Sequence, residues 1–266
     1  MLAFVHIQKT AGQTLRALLR RHFGTRHCDV YRSYDAIQMD EEVWRWIRRC
    51  YPKLESIGGH SVAPRDSFLD IDGIRFFTFL RDPKRRTLSH YQYLVSRGTV
   101  TEPFNQWAEA NINRQTRALA GADHVEQAIE VLETRIGFTG LMESFDESLL
   151  LWKNWLQITD FDIRYQSVNV ASSNDIREAV LENSRSVEIL DEMNRNDQVL
   201  YEYVVENIYP RQIKAYDSDI SDDLAAFRKS FASASNQSLK QLTGQLKRNL
   251  VFRPGFKKIL RNQKKR

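Results

Sequence analysis

The first segment whose residues could do chemistry is residues 9–14, a turn of small and polar side chains that follows the apolar residues 4–7. Such a turn lets backbone N–H groups face a ligand, and the amino terminus of the following helix adds partial positive charge. Lys9 supplies a full charge, and the hydroxyls of Thr10 and Thr14 supply further donors. The segment therefore predicts an anion-binding loop.

The second such segment is residues 80–91, where Arg81 ends an apolar run and a helix begins. Asp82 is a natural N-cap and Pro83 suits the first helical position, so Ser89 lies two turns into that helix. An arginine offers two parallel donors that match a phosphate, and a nearby serine adds a hydroxyl. This segment predicts a second anion-binding group.

The elements around these segments predict an α/β fold with a central parallel sheet flanked by helices. The predicted strands are residues 4–9, 73–80, 136–140 and 161–165. The predicted helices are residues 15–22, 83–93, 104–119, 125–134, 145–156 and one or two within 177–209. Because ligands bind beyond the carboxyl ends of parallel strands, both anion-binding segments should face one crevice. The expected ligand carries phosphate-like groups at two places.

The composition is that of a soluble globular protein with one sizeable core, since 42% of the 266 residues are hydrophobic and 11% aromatic. No apolar run approaches the roughly 20 residues needed to cross a bilayer, and no basic, apolar leader precedes residue 4. Cys28 and Cys50 lack metal-ligand spacing and predict reduced thiols. These features predict a cytoplasmic protein with no signal peptide, no transmembrane segment and no metal.

Positive charge is concentrated at one end of the chain. The net charge is +5, but residues 225–266 hold twelve Lys or Arg and no Asp or Glu. Residues 1–224 therefore hold 27 basic and 34 acidic side chains, a net charge of −7. The acidic stretch at 217–224 predicts a boundary between a domain, residues 1–216, and a basic tail, residues 217–266.

Leucines in this tail predict an amphipathic helix. The residues that could line its apolar and basic faces are Leu239, Leu242, Leu246 and Leu250, opposite Lys240, Lys247 and Arg248. Three interpretations stay open: contact with an anionic polysaccharide, contact with an anionic membrane, or a solvated extension.

Taken together, residues 6–10 (HIQKT) and 80–89 (LRDPKRRTLS) resemble the donor-binding motifs of carbohydrate sulfotransferases, closest to heparan sulfate 6-O-sulfotransferases. Residues 113–117, 137–145 and 191–201 resemble segments of the same enzymes in the same order. The resemblance implies a P-loop-NTPase-like sulfotransferase fold, the donor 3′-phosphoadenosine 5′-phosphosulfate (PAPS), the product PAP, and no metal. The implied reaction moves a sulfuryl group from PAPS to a carbohydrate hydroxyl.

The resemblance assigns residues 9–14 to the 5′-phosphosulfate and Arg81 with Ser89 to the 3′-phosphate. The residues that it implies bind the donor are Lys9, Thr10, Ala11, Gly12, Gln13, Thr14, Arg81, Ser89 and Asn169. Ala11 stands where these enzymes often have glycine, and Gln13 where they often have a small or hydroxyl residue. Both departures concern loop geometry and leave the charge of the loop unchanged.

Two residues are expected to act in the reaction itself. Sulfuryl transfer builds negative charge on the bridging oxygen of the departing phosphate, which Lys9 is expected to stabilise. The acceptor hydroxyl needs a base, and His60 is favoured among six histidines because it lies in a glycine-rich turn. Its position also resembles that of the catalytic histidine in the heparan sulfotransferases. His6 is expected to serve packing or a backbone hydrogen bond, and His90 to be exposed.

Arg114 and Arg117 lie on a helix that resembles a substrate-facing segment, where they would bind acidic groups of a glycan. A solvated helical face is the equally open alternative.

No nucleic-acid module accompanies the basic residues, so no nucleic-acid partner is expected. Two other functions stay open. One is a kinase or ATPase on a related fold, although Lys9 lacks the preceding glycines of a nucleotide P-loop. The other is a non-catalytic protein that binds polyanions or membranes.

Overall fold

The computed structural model describes residues 1–30, 39–64, 73–165, 175–230 and 239–263, without the side chains of residues 239–241 and 260–263. The strands are β1 (Leu2–Val5), β2 (His27–Asp29), β3 (Ser56–Gly59), β4 (Arg75–Leu80) and β5 (Ile136–Leu141). Within the described ranges they form a five-stranded, fully parallel sheet in the order β2-β3-β1-β4-β5. The predicted α/β class with a helix-flanked central parallel sheet is confirmed.

Helices connect the strands and continue the chain after β5. Their bounds are α1 (Gly12–Phe23), α2 (Glu41–Cys50), α3 (Pro83–Ser96), α4 (Phe104–Glu109), α5 (Arg114–Ala120), α6 (Val125–Thr134), α7 (Phe145–Leu156), α8 (Asp175–Glu182), α9 (Ser184–Glu192), α10 (Arg195–Tyr203), α11 (Tyr209–Lys214), α12 (Ile220–Lys229), α13 (Leu239–Lys247) and α14 (Arg253–Gln263). A 3-10 turn, Gly24–Arg26, joins α1 to β2. Single π-helical segments, Val204–Ile208 and Arg248–Phe252, join α10 to α11 and α13 to α14.

The central strand is β1, which pairs with β3 and β4 and is apolar at every position. Its four residues are buried, and Ala3 and Phe4 have no exposed surface. The chain leaves β1 towards β2 on one side and leaves β4 towards β5 on the other. Adjacent strands whose connections diverge in this way open a crevice beyond their carboxyl ends. Both anion-binding segments begin at this crevice.

The pairing register of β1 fixes which residues meet there. Val5 pairs with Gly59 of β3 on one side and with Thr78 of β4 on the other. The Thr78 hydroxyl also donates to the Val5 carbonyl at 2.9 Å. Since neighbouring strands lie about 4.8 Å apart, the residues just beyond this level are brought side by side.

The structure corrects several predicted bounds. β1 ends at Val5 rather than at residue 9, because the backbone turns into the anion-binding loop. The predicted helix over residues 104–119 is two helices, α4 and α5, separated where Asn113 adopts a left-handed φ of 45°. The strand predicted at residues 161–165 is wrong: Arg21 Nη2 instead donates to the carbonyls of Asp162 and Arg164. The short strands β2 and β3 and the helix α2 were not predicted.

The C-terminal helix, residues 239–263, packs on α1 and α2. Gly244 approaches Gly24 so closely that a Cβ on Gly244 would lie 2.7 Å from the Gly24 carbonyl oxygen. The Trp46 indole N–H donates to the Phe252 carbonyl at 3.2 Å, and Phe252 and Phe256 are buried. The predicted domain boundary at residue 217 stays a prediction, but this helix contributes two aromatic side chains to the core.

A buried carboxylate at the end of β2, Asp29, joins α1, the sheet and the C-terminal helix. Arg16 Nε donates to Asp29 Oδ1 at 2.7 Å, and Arg20 Nε donates to Oδ2 at 2.5 Å. His27 Nε2 lies 3.3 Å from Oδ1, and Arg248 Nη1 lies 3.9 Å from Oδ2. Burial alone would raise the pKa of Asp29, but His27, Arg16 and Arg20 hold it well below its usual value.

Replacing Asp29 with Asn should lower the free energy of unfolding by roughly 3 kcal/mol at neutral pH, because Arg16 and Arg20 lose their buried counter-charge. A carboxyl pKa that is lowered by folding stabilises the protein fully above the unfolded value of 3.8. That contribution is lost as the pH falls through the folded pKa. Urea denaturation should therefore show a difference between wild type and Asp29→Asn that shrinks in acid.

The matched control is Asp160→Asn, which changes an exposed aspartate and should leave the unfolding free energy nearly unchanged. An equal cost for the two variants, or a difference that does not depend on pH, would contradict the role assigned to Asp29.

Candidate active site

The loop between β1 and α1, which is the first predicted anion-binding segment, has a strained backbone. Lys9 and Ala11 have positive φ values of 70° and 60°, which non-glycine residues rarely adopt. Ala11 is the N-cap of α1 but offers no side-chain cap, and the first ladder bond runs from Leu15 N to the Ala11 carbonyl at 3.1 Å. The first turn of α1 contains no acidic residue. Its amino terminus therefore offers backbone donors and no competing carboxylate.

The threonines of this loop are placed differently from one another. Thr10 is fully buried, and its hydroxyl donates to the Ile7 carbonyl at 2.9 Å. That bond ties the loop back to Ile7 and occupies the Thr10 hydroxyl. Thr14 lies in the first turn of α1 and is only 9% exposed, whereas Gln13 is exposed.

Gly12 is required by its neighbour His6. A Cβ on Gly12 would lie 1.6 Å from His6 Nε2, so the imidazole ring rests directly on the glycine backbone. His6 is 8% exposed, and burial with the nearby charge of His60 lowers its pKa well below the usual value. The neutral ring thus fills the space between the loop and β3, in agreement with the packing role expected for it.

The two predicted anion-binding segments contact one another through Arg81. Its Nη1 donates to the Lys9 carbonyl at 3.3 Å. Its backbone is held by the buried Gln115, which accepts from Arg81 N at 3.0 Å and donates to the Arg81 carbonyl at 2.9 Å. Burial, then the charges of Arg81 and Arg97, lower the pKa of Lys9. Lys9 and Arg81 therefore present two cations at one place beyond β1 and β4.

A tyrosine on α3 that the motif analysis missed holds the lysine side chain. Lys9 Nζ lies 4.4 Å from the centroid of the Tyr93 ring, and Arg97 Cζ lies 4.9 Å from it. Cations within about 6 Å of an aromatic ring are attracted to its face. Ser89 and Tyr93 lie four residues apart and so share one face of α3, and Arg97, four residues further on, is the C-cap of that helix. That spacing was the available sequence signal, and it places Ser89 on the same side as the tyrosine.

His60 follows β3 directly and stacks on His6, with ring centroids 4.1 Å apart. Its Nδ1 lies 2.6 Å from the His6 carbonyl oxygen. Because a carbonyl can only accept, Nδ1 carries the proton and Nε2 of the neutral ring carries the lone pair. His60 is exposed at the surface, but burial of part of its ring lowers its pKa. The charges of Arg16 and Arg114 lower this pKa further. The bond to the His6 carbonyl acts in the opposite direction.

His90, expected to be exposed, is buried at 3% exposure, so that prediction is wrong. Its ring packs edge-on against Trp107, with centroids 5.6 Å apart. Burial and the charges of Arg86, Arg114 and Lys9 lower the pKa of His90 to about 3. The imidazole is therefore neutral and belongs to the wall behind the crevice.

Arg86 is a fully buried cation in that wall. Its Nη2 donates to the Thr87 hydroxyl at 2.9 Å, while Nε and Nη1 have no hydrogen-bond partner among the described residues. Burial lowers the pKa of Arg86 to about 10, and the carboxylate of Asp197 opposes this effect. Asp197 itself accepts from the backbone N–H groups of Gln115 and Thr116, at 3.0 and 2.7 Å.

The two arginines predicted to face a substrate are placed differently. Arg114 is half-buried at the start of α5, and its charge lowers the pKa values of both His60 and His90. Arg117 is exposed and lies 3.8 Å from Asp123. Asn169, predicted to bind the donor, lies outside the described residues.

The structure adds one further cation that the sequence analysis did not consider. Arg177 on α8 is close enough to Arg81 for its charge to lower the pKa of that guanidinium.

In the described ranges, no group of three or more His, Cys, Asp or Glu side chains could hold a metal ion. No helix in the described part of the chain is long and apolar enough to cross a membrane.

Comparison with solved structures finds similarity to a sulfotransferase from Alicyclobacillus acidocaldarius. The two chains are 14% identical with a TM-score of 0.41, over 71% of this chain and 93% of that chain. No protein-family model matches the chain, and no curated protein matches its sequence. A likeness of this extent carries no argument about function, which depends on the residues of the crevice itself.

The packing of His6 on Gly12 predicts a strong energetic coupling between them. Gly12→Ala should lower the free energy of unfolding by roughly 1–3 kcal/mol, because the new methyl group displaces the imidazole. In the His6→Ala background the same change should cost at least about 1 kcal/mol less. Urea denaturation of the four proteins of this double-mutant cycle provides the measurement. Additive costs would show that the ring does not rest on Gly12.

Proposed function

We propose that this protein transfers a sulfuryl group from PAPS to a hydroxyl group of a carbohydrate. The observation that carries the proposal is the contact between the Arg81 guanidinium and the Lys9 carbonyl, which joins two anion-binding segments in one crevice. A donor with charged groups at both its 5′ and 3′ positions suits such a pair. The resemblance of the two motifs to carbohydrate sulfotransferases supplies the identity of that donor.

The donor set of the crevice is chemically suited to PAPS. The amino terminus of α1 and Lys9 would hold the 5′-phosphosulfate, with backbone N–H groups of residues 10–14 as the donors. Arg81 and Ser89 would hold the 3′-phosphate, and Arg177 would add charge on the same side. The buried hydroxyl of Thr10 already donates to Ile7, so this residue would take part through its backbone.

In this proposal, bound PAPS supplies an activated sulfuryl group and leaves as PAP. His60 would accept the proton of the acceptor hydroxyl at Nε2, because Nδ1 donates to the His6 carbonyl. The same carbonyl would stabilise the imidazolium that forms. Lys9 would stabilise the negative charge that develops on the leaving phosphate oxygen. Tyr93 would act as a positioning residue that keeps the ammonium group at the loop.

An acidic glycan is the acceptor class that we propose. Arg114 lies close enough to His60 to lower its pKa, so an acceptor held near the base would also approach this guanidinium. A carboxylate or sulfate on the acceptor would pair with it. Arg117 already has Asp123 as a partner, and we give it a secondary role at the edge of the site.

The first test is calorimetric binding of PAP and of ATP with magnesium. Wild type should bind PAP clearly more tightly than ATP. Arg81→Ala should weaken PAP binding about 10- to 100-fold, because a charge-assisted contact of this kind contributes roughly 1.5–3 kcal/mol. The control is Arg85→Ala, which removes an exposed arginine from the first turn of α3, four residues after Arg81. Preference for ATP with magnesium would favour a kinase, and binding of neither ligand would leave a non-catalytic function.

A second test concerns the pH dependence of His60. Because its pKa is lowered, His60 should stay neutral, and competent as a base, to below pH 6.5, with protonation only at more acidic pH. The histidine C–H resonances titrated by NMR, with His60→Gln for assignment, should give a midpoint below 6.5. Sulfate transfer from PAPS to a desulfated heparan-type polysaccharide should lose activity in acid with the same midpoint.

Two arginine variants make this test specific. Arg114→Gln removes a charge that lowers the pKa of His60 and should move the midpoint upward, towards 6.5. Arg117→Gln is the matched control, since Arg117 is not among the charges that act on His60, and the midpoint should stay in place. A midpoint above 6.5 would contradict the lowered pKa of His60, and an acid limb that persists in His60→Gln would exclude His60 as the base.

A further inference from the structure

The C-terminal helix exposes side chains that an amphipathic helix usually buries. Leu242, Leu246 and Leu250 are 41%, 58% and 72% exposed, and Val251 beside them is 49% exposed. The leucines recur every four residues and therefore form one apolar stripe. Isolated exposed leucines are ordinary, but a contiguous stripe on one helix marks an interaction surface.

The opposite side of the same helix contacts the domain through charged and aromatic groups. Lys247 Nζ lies 4.5 Å from the centroid of the Tyr51 ring and donates to the Thr25 carbonyl at 3.2 Å. Arg248 approaches the buried carboxylate of Asp29, and the rings of Phe252 and Phe256 are buried. These contacts fix the rotation of the helix, so the leucines cannot turn inward without breaking them.

The exposed side also carries positive charge. Arg253, Lys257 and Lys258 follow the leucine stripe and are exposed. No acidic residue occurs anywhere in residues 225–266. We name the set of exposed residues on this side the leucine–lysine face: Leu242, Leu246, Leu250, Val251, Arg253, Lys257 and Lys258.

We propose that the leucine–lysine face docks onto an anionic lipid bilayer. A bilayer interface offers an apolar acyl region for the leucines and negatively charged headgroups for the basic side chains, so it complements both halves of the face. An anionic polysaccharide would pair with the lysines and leave the leucines in water. A second copy of the same face contains no acidic side chain, so it would leave the basic side chains without a counter-charge.

Docking at this face would leave the crevice open. α13 contacts the carboxyl end of α1 and the Gly24–Arg26 turn, at the amino ends of the strands. The crevice lies at the carboxyl ends of β1 and β4, at the other end of α1. Membrane docking is therefore independent of the proposed donor binding, and PAP binding can serve as a check that each variant is folded.

The test is flotation of the full chain with lipid vesicles of phosphatidylcholine alone or with about 30% phosphatidylserine. Wild type should float with the anionic vesicles and much less with the neutral ones. Leu246→Ser/Leu250→Ser should lower the partition coefficient at least about tenfold, because apolar surface is lost from the buried side. Lys257→Glu/Lys258→Glu should lower it by at least as much. The matched control, Leu181→Ser, removes a leucine that is 50% exposed on α8 and should not change binding.

The proposal is overturned if wild type does not bind anionic vesicles. It is also overturned if the leucine variant binds anionic vesicles as well as wild type does, because binding would then depend on charge alone. Self-association of wild type that Leu246→Ser/Leu250→Ser abolishes, without vesicle binding, would instead assign the face to a second copy. Calorimetry with PAP on each variant separates these outcomes from a failure of the proposed function, since the two sites lie at opposite ends of α1.

Discussion

The pairing register of β1 with its two neighbours is the constraint on which the crevice depends. Val5 is level with both Gly59 and Thr78, and the three strands run in the same direction. His6 and His60 are therefore the next residues on adjacent strands, which is why their rings stack. Because both faces of β1 are covered, apolar burial alone does not set this register. Two specific contacts favour it: a Cβ on Gly58 would lie 3.2 Å from Phe4 Cβ, and the Thr78 hydroxyl donates to the Val5 carbonyl. The geometry of the site thus follows from the packing of the core.

Positive charge and burial act together in the crevice. Lys9, Arg81 and Arg114 each have a pKa lowered first by burial and then by neighbouring cations. Cations held close together in a partly buried place repel one another, and this repulsion opposes folding in the absence of a ligand. The two neighbouring histidines respond by staying neutral, which removes two further charges. An anion with more than one negative group relieves this repulsion most effectively, which is the electrostatic reason to propose a multiply charged donor.

Where the local sequence is distinctive, it predicted the elements and the class of fold, although it placed the end of β1 at residue 9 instead of Val5 and predicted a strand at residues 161–165 that the structure lacks. The end of β4 before Arg81 is marked by an apolar run followed by a cap and a proline. The short strands β2 and β3 carry histidine, aspartate and glycine and lack a periodic signal, so only their pairing with β1 defines them. The burial of His90 depends on Trp107 from another helix, which no local pattern reveals. The positions of Tyr93 and Arg177 relative to Lys9 and Arg81 likewise arise from helix packing.

The orientation of the C-terminal helix shows how a buried charge can decide which side of an amphipathic helix faces the core. Asp29 is buried and charged, and Arg248 is one of the cations that approach it. Turning the leucines inward would withdraw Arg248 from this carboxylate and place apolar side chains beside it, where they could not replace the lost counter-charge. The glycine contact at Gly24 and the two buried phenylalanines favour the same rotation. The leucine stripe is therefore exposed because the opposite side of the helix packs on the domain. Its apolar side chains remain available to contact a surface outside the molecule.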